Sequence, residues 1–434
     1  MKVLLLTDSY PPEIRSAAIL MQELAQGLAA RGHKVWVCTL QPRYNLAAGL
    51  RYGKPPPEKN VRILRVNSLP VHNTPLWLRG LGELTLPWLF FARSAAFVNP
   101  DVVAIYSPPL TLGLAGAAFK SVRHAGMVLN VQDLFPQHAI DAGVLKCPFI
   151  ISYYRRLENF LYRAAHTIAV HSPGNRNFLM EQRQVPPEKI AVIPNWVDPT
   201  LPQRCPPLNF KKNWHLEHKF VLLFGGVLGP TQGLELVIAA ADRLRHHHDL
   251  VFLLVGDGAA RRRLEQEVKQ KRLSNVWFRP FLDPAQYQAL LAEVDVCFLT
   301  LSPAVKTPVV PSKLLGYMAA GKPYVAALNA ESDAVAITLD SGAGLVVPAG
   351  DPQSFSQAVL TLYRDKTLAQ RMGRRGRDYV QTHFSKKNCL DRYEALLLRC
   401  TAVTSRGPTG KRPKLCSLPN WGHIHAEALP PFPF

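Results

Sequence analysis

The sequence predicts an α/β protein made of two parallel-sheet, Rossmann-like halves, and three observations carry that expectation. An apolar strand at residues 2–7 runs into Tyr10-Pro11-Pro12, then a helical period over 17–31 and a strand at 34–39, a β-α-β opening. Two later apolar runs, 220–224 and 251–255, break into Gly225-Gly226 (with Gly229 and Gly233 following) and into Gly256-Asp257-Gly258. A third element, Pro311-Ser312-Lys313-Leu314-Leu315-Gly316, places a hydroxyl and a cation at a further helix start. Glycine turns at the carboxyl ends of parallel strands let a ligand approach bare backbone, and a helix starting next offers free N–H groups to an anion. Each turn alone reads equally as punctuation between strand and helix. In this order the three point to a nucleotide diphosphate.

The elements follow in sequence. Ile19, Leu20, Leu24 and Leu28 share one side of the first helix, which stops at Gly32, a residue suited to a helix end. Strands are expected at 61–66, 102–106, 127–131, 167–170 and 191–193. Pro194-Asn195-Trp196-Val197-Asp198-Pro199 opens a proline-rich stretch through Pro207, and the boundary between halves is placed there. That gives a first domain over 1–205 and a second over 206–385. The second repeats the alternation: helix 234–246, strand 251–255, helix 261–271, strand 276–278, helix 284–291 and strand 294–299. Helix 312–320, strands 324–327 and 345–347, and a helix from Pro352 complete it. A helix over 386–400 closes the fold. Residues 401–434, rich in Lys, Arg and Pro, cannot bury a core and read as a disordered tail.

Composition narrows the class. A chain of 434 residues is too long for one ordinary core. The net charge of +20 is spread evenly, with 21 basic against 12 acidic residues over 1–200 and 26 against 18 over 201–400. That is not the concentrated arm of a nucleic-acid binder, so no nucleic acid is expected. It suits an anionic membrane surface or anionic substrates, and solubility alone accounts for it equally. The seven cysteines are scattered, odd in number and never spaced as a metal clamp, which points to reduced thiols in a cytosolic protein. Thr7-Asp8-Ser9 cuts the first apolar run below signal-sequence length, and no apolar run reaches about 18 residues, so no spanning helix is expected.

With these pieces in order, the chain from residue 1 to about 400 resembles a retaining glycosyltransferase of the GT-B fold, family 4. The resemblance rests on Asp8-Ser9-Tyr10-Pro11-Pro12-Glu13, on Glu23-Leu24-Ala25 running to Gly32-His33-Lys34-Val35, and on Gly344-Leu345-Val346-Val347-Pro348-Ala349-Gly350-Asp351-Pro352. Met372-Gly373-Arg374-Arg375-Gly376-Arg377 and His383-Phe384-Ser385 extend it. Val131-Gln132-Asp133-Leu134-Phe135-Pro136, Pro194-Asn195-Trp196-Val197-Asp198 and Gly229-Pro230-Thr231-Gln232-Gly233 are similar to the fucosaminyltransferase-like branch of bacterial surface polysaccharide clusters. The resemblance implies two domains facing a cleft and a nucleotide diphosphate-sugar donor as substrate. It further implies a polyprenyl-diphosphate-linked glycan acceptor, and no cofactor or essential metal. Three departures stand out. Val227 (or Gly226) and Gln232 replace an Arg and a Lys of the first glycine turn. Pro308 and Gly316 replace two glutamates seven residues apart, and Arg15-Ser16 replace a Gly-Gly pair.

Sugar transfer breaks the anomeric C–O bond while charge builds on the leaving diphosphate, an electrostatic task for N–H groups and cations. Lys313, beside Ser312 at a helix start, is the candidate for that charge, with a solvated lysine as the plain alternative. Gly229 and Gly233 would let the turn approach the phosphates, with Gln232 as a neutral donor. Glu235 either meets sugar or ribose hydroxyls or merely favours a helix N-terminus. Arg279-Pro280-Phe281 stand where the base would lie, and Phe281 reads as core. In the first domain, Gln132 and Asp133 end a strand; Asp133 orients the acceptor hydroxyl or takes its proton, or else caps a turn. His138 is nearby. Arg15 and Ser16 stand where an anionic lipid-linked acceptor could lie.

Aromatics beside arginines at Trp77, Trp88 and Tyr153 suit either the headgroup region of a bilayer or a packed core. The expected location is cytoplasmic, docked peripherally on the inner membrane. Two rival readings stay open. One is a catalytically silent nucleotide-sugar-binding homologue, which the missing carboxylates favour and Lys313 opposes. The other is a nucleotide-sugar 2-epimerase, which calls for a richer carboxylate and histidine set.

Overall fold

The computed structural model describes residues 1–13, 15–42, 60–69, 76–200 and 206–405. The tail residues 406–434 and the boundary residues 201–205 lie outside them; the last helix, Lys386–Ser405, runs five residues into the segment expected to be a tail.

Two compact units divide the chain. The first is built on seven strands: β1 Lys2–Leu6, β2 Lys34–Leu40, β3 Val61–Val66, β4 Val102–Ser107, β5 Gly126–Val131, β6 Thr167–Val170 and β7 Ile190–Val192. Their order is β3-β2-β1-β4-β5-β6-β7, and every pairing is parallel. The second holds six: β8 Phe220–Gly225, β9 Leu250–Val255, β10 Val276–Arg279, β11 Val296–Thr300, β12 Tyr324–Leu328 and β13 Gly344–Pro348. Their order is β10-β9-β8-β11-β12-β13, again all parallel. Both sheets therefore reverse their order once, between β1 and β4 and between β8 and β11, and the crevice at such a switch point is where α/β sheets bind ligands.

Helices cover both faces of the second sheet, which is why its strands read as continuous apolar runs rather than alternating ones. Every residue of β8, β9, β11 and β12 is buried. Val221 and Leu223 point into one core, Phe220, Leu222 and Phe224 into the other. Helix starts follow local chemistry. Asp283 caps Pro284–Glu293 with a full capping box, and Asp351 accepts from the Gln353 and Ser354 amides ahead of Pro352–Arg364.

The division between units falls at Asn195–Trp196, ahead of the expected 205/206 boundary. Val197 explains the difference: it forms a parallel bridge with Ser385, and its amide bonds the Phe384 carbonyl, so the stretch belongs with the end of the second unit. Among the described residues, 387–405 belong to the first unit. Leu390 packs where a Gly27 side chain would be, Cys400 packs on Gly126, and Glu394 pairs with both Arg31 and His33.

Candidate donor and acceptor sites

The first glycine turn leaves β8 at the switch point of the second sheet. Gly226 has φ +134°, and a Cβ there would lie 2.8 Å from Lys313 Cε. That φ is one L side chains rarely adopt, so the turn calls for glycine, and the end of the lysine side chain lies across its bare backbone. The second turn packs beneath the first: the Gly226 amide bonds the Val255 carbonyl at 2.9 Å and the Leu228 amide the Asp257 carbonyl at 2.9 Å. A Cβ on Gly256 would fall 1.8 Å from the Gly226 oxygen. The three elements singled out in the sequence thus form one structure.

Lys313 is the second residue of helix Ser312–Ala319, preceded by Pro311 with no side-chain cap. Its ammonium lies 4.7 Å from the centre of the Phe224 ring and donates to Gln232 Oε1 at 3.1 Å. Burial of the ammonium pushes its pKa down to about 8. A desolvated ammonium held by a neutral amide and a ring face, with no ion-pair partner among the described residues, suits an anionic ligand. Ser312 is exposed at the uncapped helix start.

The remaining candidates of this unit separate. Gly229 has φ −104°, and a Cβ there would meet only Val227 Cγ1 at 3.8 Å, so packing does not require glycine. Gly233 is different: its φ is +60°, and its Cβ would press on Leu301 O at 3.0 Å, which makes it a turn glycine. Glu235 begins helix Glu235–Arg243 and forms an exposed ion pair with Arg263. Phe281 is half-buried, not the core residue expected, because β10 is an edge strand and ends two residues earlier. Arg279 lies over both Trp214 and Trp277, at 5.2 and 5.4 Å. A Cβ at Gly316 would meet nothing within 4 Å.

In the first unit the candidates gather at the carboxyl ends of β1, β4 and β5. Arg15 Nη1 donates to Asp8 Oδ2 at 3.1 Å, and Ser16 opens helix Ser16–Ala30, exposed. Burial raises the Tyr106 hydroxyl pKa, the Asp133 and Asp8 carboxylates raise it further, and Arg15 opposes them. Gln132 is buried and occupied: its Nε2 donates to Asn130 Oδ1 at 2.8 Å, and Asn195 Nδ2 donates to its Oε1 at 2.7 Å. It links the end of β5 to the 194–195 segment. Asp133, next along, is exposed. His171 is an electrostatic neighbour of this carboxylate. Val131 and Val170 are in register, so Gln132 and His171 leave β5 and β6 side by side. Burial lowers the pKa of the His171 ring against the pull of Asp133. Among the described residues no group of three His, Cys, Asp or Glu is placed to hold a metal ion.

Comparison with known proteins decides the family. The model for Glycosyltransferase Family 4 matches residues 17–201, and that for Glycosyl transferases group 1 matches residues 207–379. The chain belongs to the family 4 glycosyltransferases. It is 25% identical over 405 residues to the putative colanic acid biosynthesis glycosyl transferase WcaI of Escherichia coli K12, covering 91% of this chain and 98% of that one. Sucrose-phosphate synthase of Thermosynechococcus elongatus superposes with a TM-score of 0.74 at 18% identity, covering 93% of this chain and all (100%) of its own. HepE of Anabaena, solved in complex with UDP, gives 0.69 at 18%, covering 92% and 100%. These structural likenesses show the fold, which is GT-B. In this family 4 glycosyltransferase one position of the departed glutamates, Gly316, has room for a side chain. At Gly316 open space stands where a carboxylate would project, three residues along the helix from Lys313.

Proposed function

We infer that the protein transfers a sugar, with retention, from a nucleotide diphosphate-sugar to a lipid-linked glycan in the biosynthesis of a cell-surface polysaccharide. The family membership and the likeness to a colanic acid enzyme support the transferase and its polysaccharide context. The UDP complex of a structural neighbour supports a nucleotide-sugar donor. One observation carries the reading furthest: the Lys313–Gln232 pair laid over Gly226 at the switch point of the second sheet. As the anomeric bond breaks, charge develops on the diphosphate, and a desolvated ammonium stabilises it more than a solvated one would. Gln232 accepts from Lys313 through its oxygen, so its NH₂ remains to donate to a phosphate oxygen. Gly229 admits the phosphates, Ser312 and the first N–H groups of its helix complete the cradle, and no metal is called for. Asp133 orients the acceptor hydroxyl.

A lipid-linked acceptor and the +20 charge support docking at an anionic membrane surface as part of this reading. Helix Pro148–Ala164 supports this. Phe149, Tyr153 and Phe160 are exposed and share one face with Arg156, and Ile150 is exposed next to Phe149. On helix Leu76–Ala95, Trp88 and Leu89 add a second exposed apolar point, while Leu86 and Phe90 are core. The side chain of Trp77 lies outside the described residues. Among the described residues no helix is long and apolar enough to cross a membrane.

A transfer assay with several radiolabelled nucleotide sugars on membrane extracts tests the whole reading. Label reaching a lipid-extractable glycan supports it. Nucleotide binding with no transfer from any sugar would favour the silent homologue, for which the glycine at 316 speaks. Epimerised free nucleotide sugar would favour the third reading.

A further inference from the structure

β8 and β11 flank the switch point, and they are paired only through Leu222–Val296 and Leu223–Cys297. β8 nevertheless continues to Gly225, still in register with β9, and β11 continues to Thr300, still in register with β12. The two strands part over their last residues. In a parallel ladder with this register, the Phe298 carbonyl would receive the Gly225 N–H directly. Instead the hydroxyl of Tyr317, a fully buried residue, stands at that rung. It donates to the Phe298 carbonyl at 3.2 Å and so takes the acceptor that the Gly225 N–H would otherwise meet.

A second hydroxyl backs the first. Tyr287, on helix Pro284–Glu293, lies against the same turn: a Cβ on Gly225 would fall 2.3 Å from the Tyr287 oxygen. Tyr317 and Lys313 are four residues apart on one helix, so they project on the same side, one turn from each other. The helix that brings the cation over the glycine turn also inserts the hydroxyl beneath it.

We propose that Tyr317 is a positioning residue whose hydroxyl, inserted into the rung between Phe298 and Gly225, holds β8 and β11 apart and fixes the turn that receives the donor diphosphate. The role in binding rests on the donor-site reading above; the role in holding the turn does not. Tyr317 is remote from the reacting atoms in this scheme and acts through the Gly225–Gly226 backbone. Without the oxygen, the Phe298 carbonyl loses its partner and the Gly225 amide can close onto it, narrowing the crevice.

Tyr317→Phe keeps the ring and removes the oxygen. In the unliganded protein, hydrogen exchange at the Gly225–Gly226 amides is expected to change by about 10-fold or more, with most other β8 amides unaltered. UDP, titrated calorimetrically into the full chain, is expected to bind about 10-fold more weakly, with kcat at saturating donor within about 3-fold of the native value. Unchanged exchange at these amides overturns the proposal. Altered exchange with unchanged UDP affinity overturns its binding half. A native protein that binds neither UDP nor GDP overturns the donor-site reading, while the exchange result still decides whether Tyr317 holds the turn. Should Tyr317→Phe not fold, Tyr287→Phe, on a half-buried ring whose oxygen lies against Gly225, is expected to shift the same amides by about 3-fold, and no shift there overturns the proposal.

Discussion

The Lys313 ammonium donates a hydrogen bond to Gln232 Oε1 at 3.1 Å, joining two residues 81 positions apart in the sequence. The contact satisfies the cation without neutralising it, which leaves its charge available to a ligand. Lys313→Ala should slow sugar transfer by about 10- to 1000-fold with the fold retained. Steady-state rates beside a circular dichroism spectrum decide the matter, and native turnover in a folded variant would refute the assignment.

Burial holds the Lys313 pKa down to about 8 in the folded protein, below its unfolded value. Between those values the unfolded chain keeps a proton that the native state has shed, so native stability rises with pH across the window. Lys313→Met should therefore raise Tm at pH 7, and the gain should shrink as the pH climbs past 8. The same titration should make native kcat/KM for the donor fall above about pH 8. Lys313→Arg should move that limb upward. A flat profile from pH 7 to 9.5 would contradict both expectations.

Gly226 and Gly229 make opposite demands on a substitution. Gly229→Ala meets open space at a φ that alanine tolerates, so its Tm should be unchanged or slightly higher, while UDP affinity falls about 10-fold. Gly226→Ala should lower Tm and displace Lys313, since its Cβ would occupy the lysine stem's place. Calorimetric Tm and UDP titration on the pair separate a ligand-facing glycine from a packing glycine.

Gly373 sets the seat of the lysine helix. A Cβ there would fall 2.0 Å from the Gly321 carbonyl at the end of Ser312–Ala319, and Gly376 is tight against Ala343. Gly373→Ala should cost about 1–3 kcal/mol and lower Tm by roughly 3–10 °C. UDP affinity should fall with it, because the helix must move. A native Tm would show that the helix Lys366–His383 can slide without penalty.

Membrane attachment should be salt-sensitive, because screening shortens to about 3 Å at 1 M salt. Washing membranes at high salt should release much of the protein, and alkaline extraction nearly all of it. Phe149→Asp with Phe160→Asp should abolish sedimentation with anionic vesicles at low salt, while transfer to a soluble acceptor analogue persists. A native protein that never sediments would defeat the membrane half alone.

The strands and glycine turns were legible because burial on both faces writes itself as an unbroken apolar run ending in glycine. Pro284 and Pro352, each preceded by Asp, announced their helices through capping chemistry. Lys313 was legible from residue type and order. What it touches was not, since Gln232 reaches it only once β8 and β11 are neighbours. The partners of Gln132 were hidden for the same reason: its amide bonds Asn130 and Asn195, the latter 63 positions away. His171 left one signal, a polar residue directly after β6, but its nearness to Asp133 depends on strand order. Tyr317 left none, because an aromatic in an apolar helix reads as core, which it also is.

The helix Lys386–Ser405 seals the first unit against Gly27, Arg31 and Gly126. On the ribosome, the earliest-made sheet therefore waits for nearly the whole chain before its last wall arrives, whereas the second sheet can be complete first. A truncation at residue 385, cut to trim the molecule after its donor half, would instead strip the amino-terminal half. It would expose the groove beside Gly27 to whatever chaperone or neighbouring chain offered a helix to fill it.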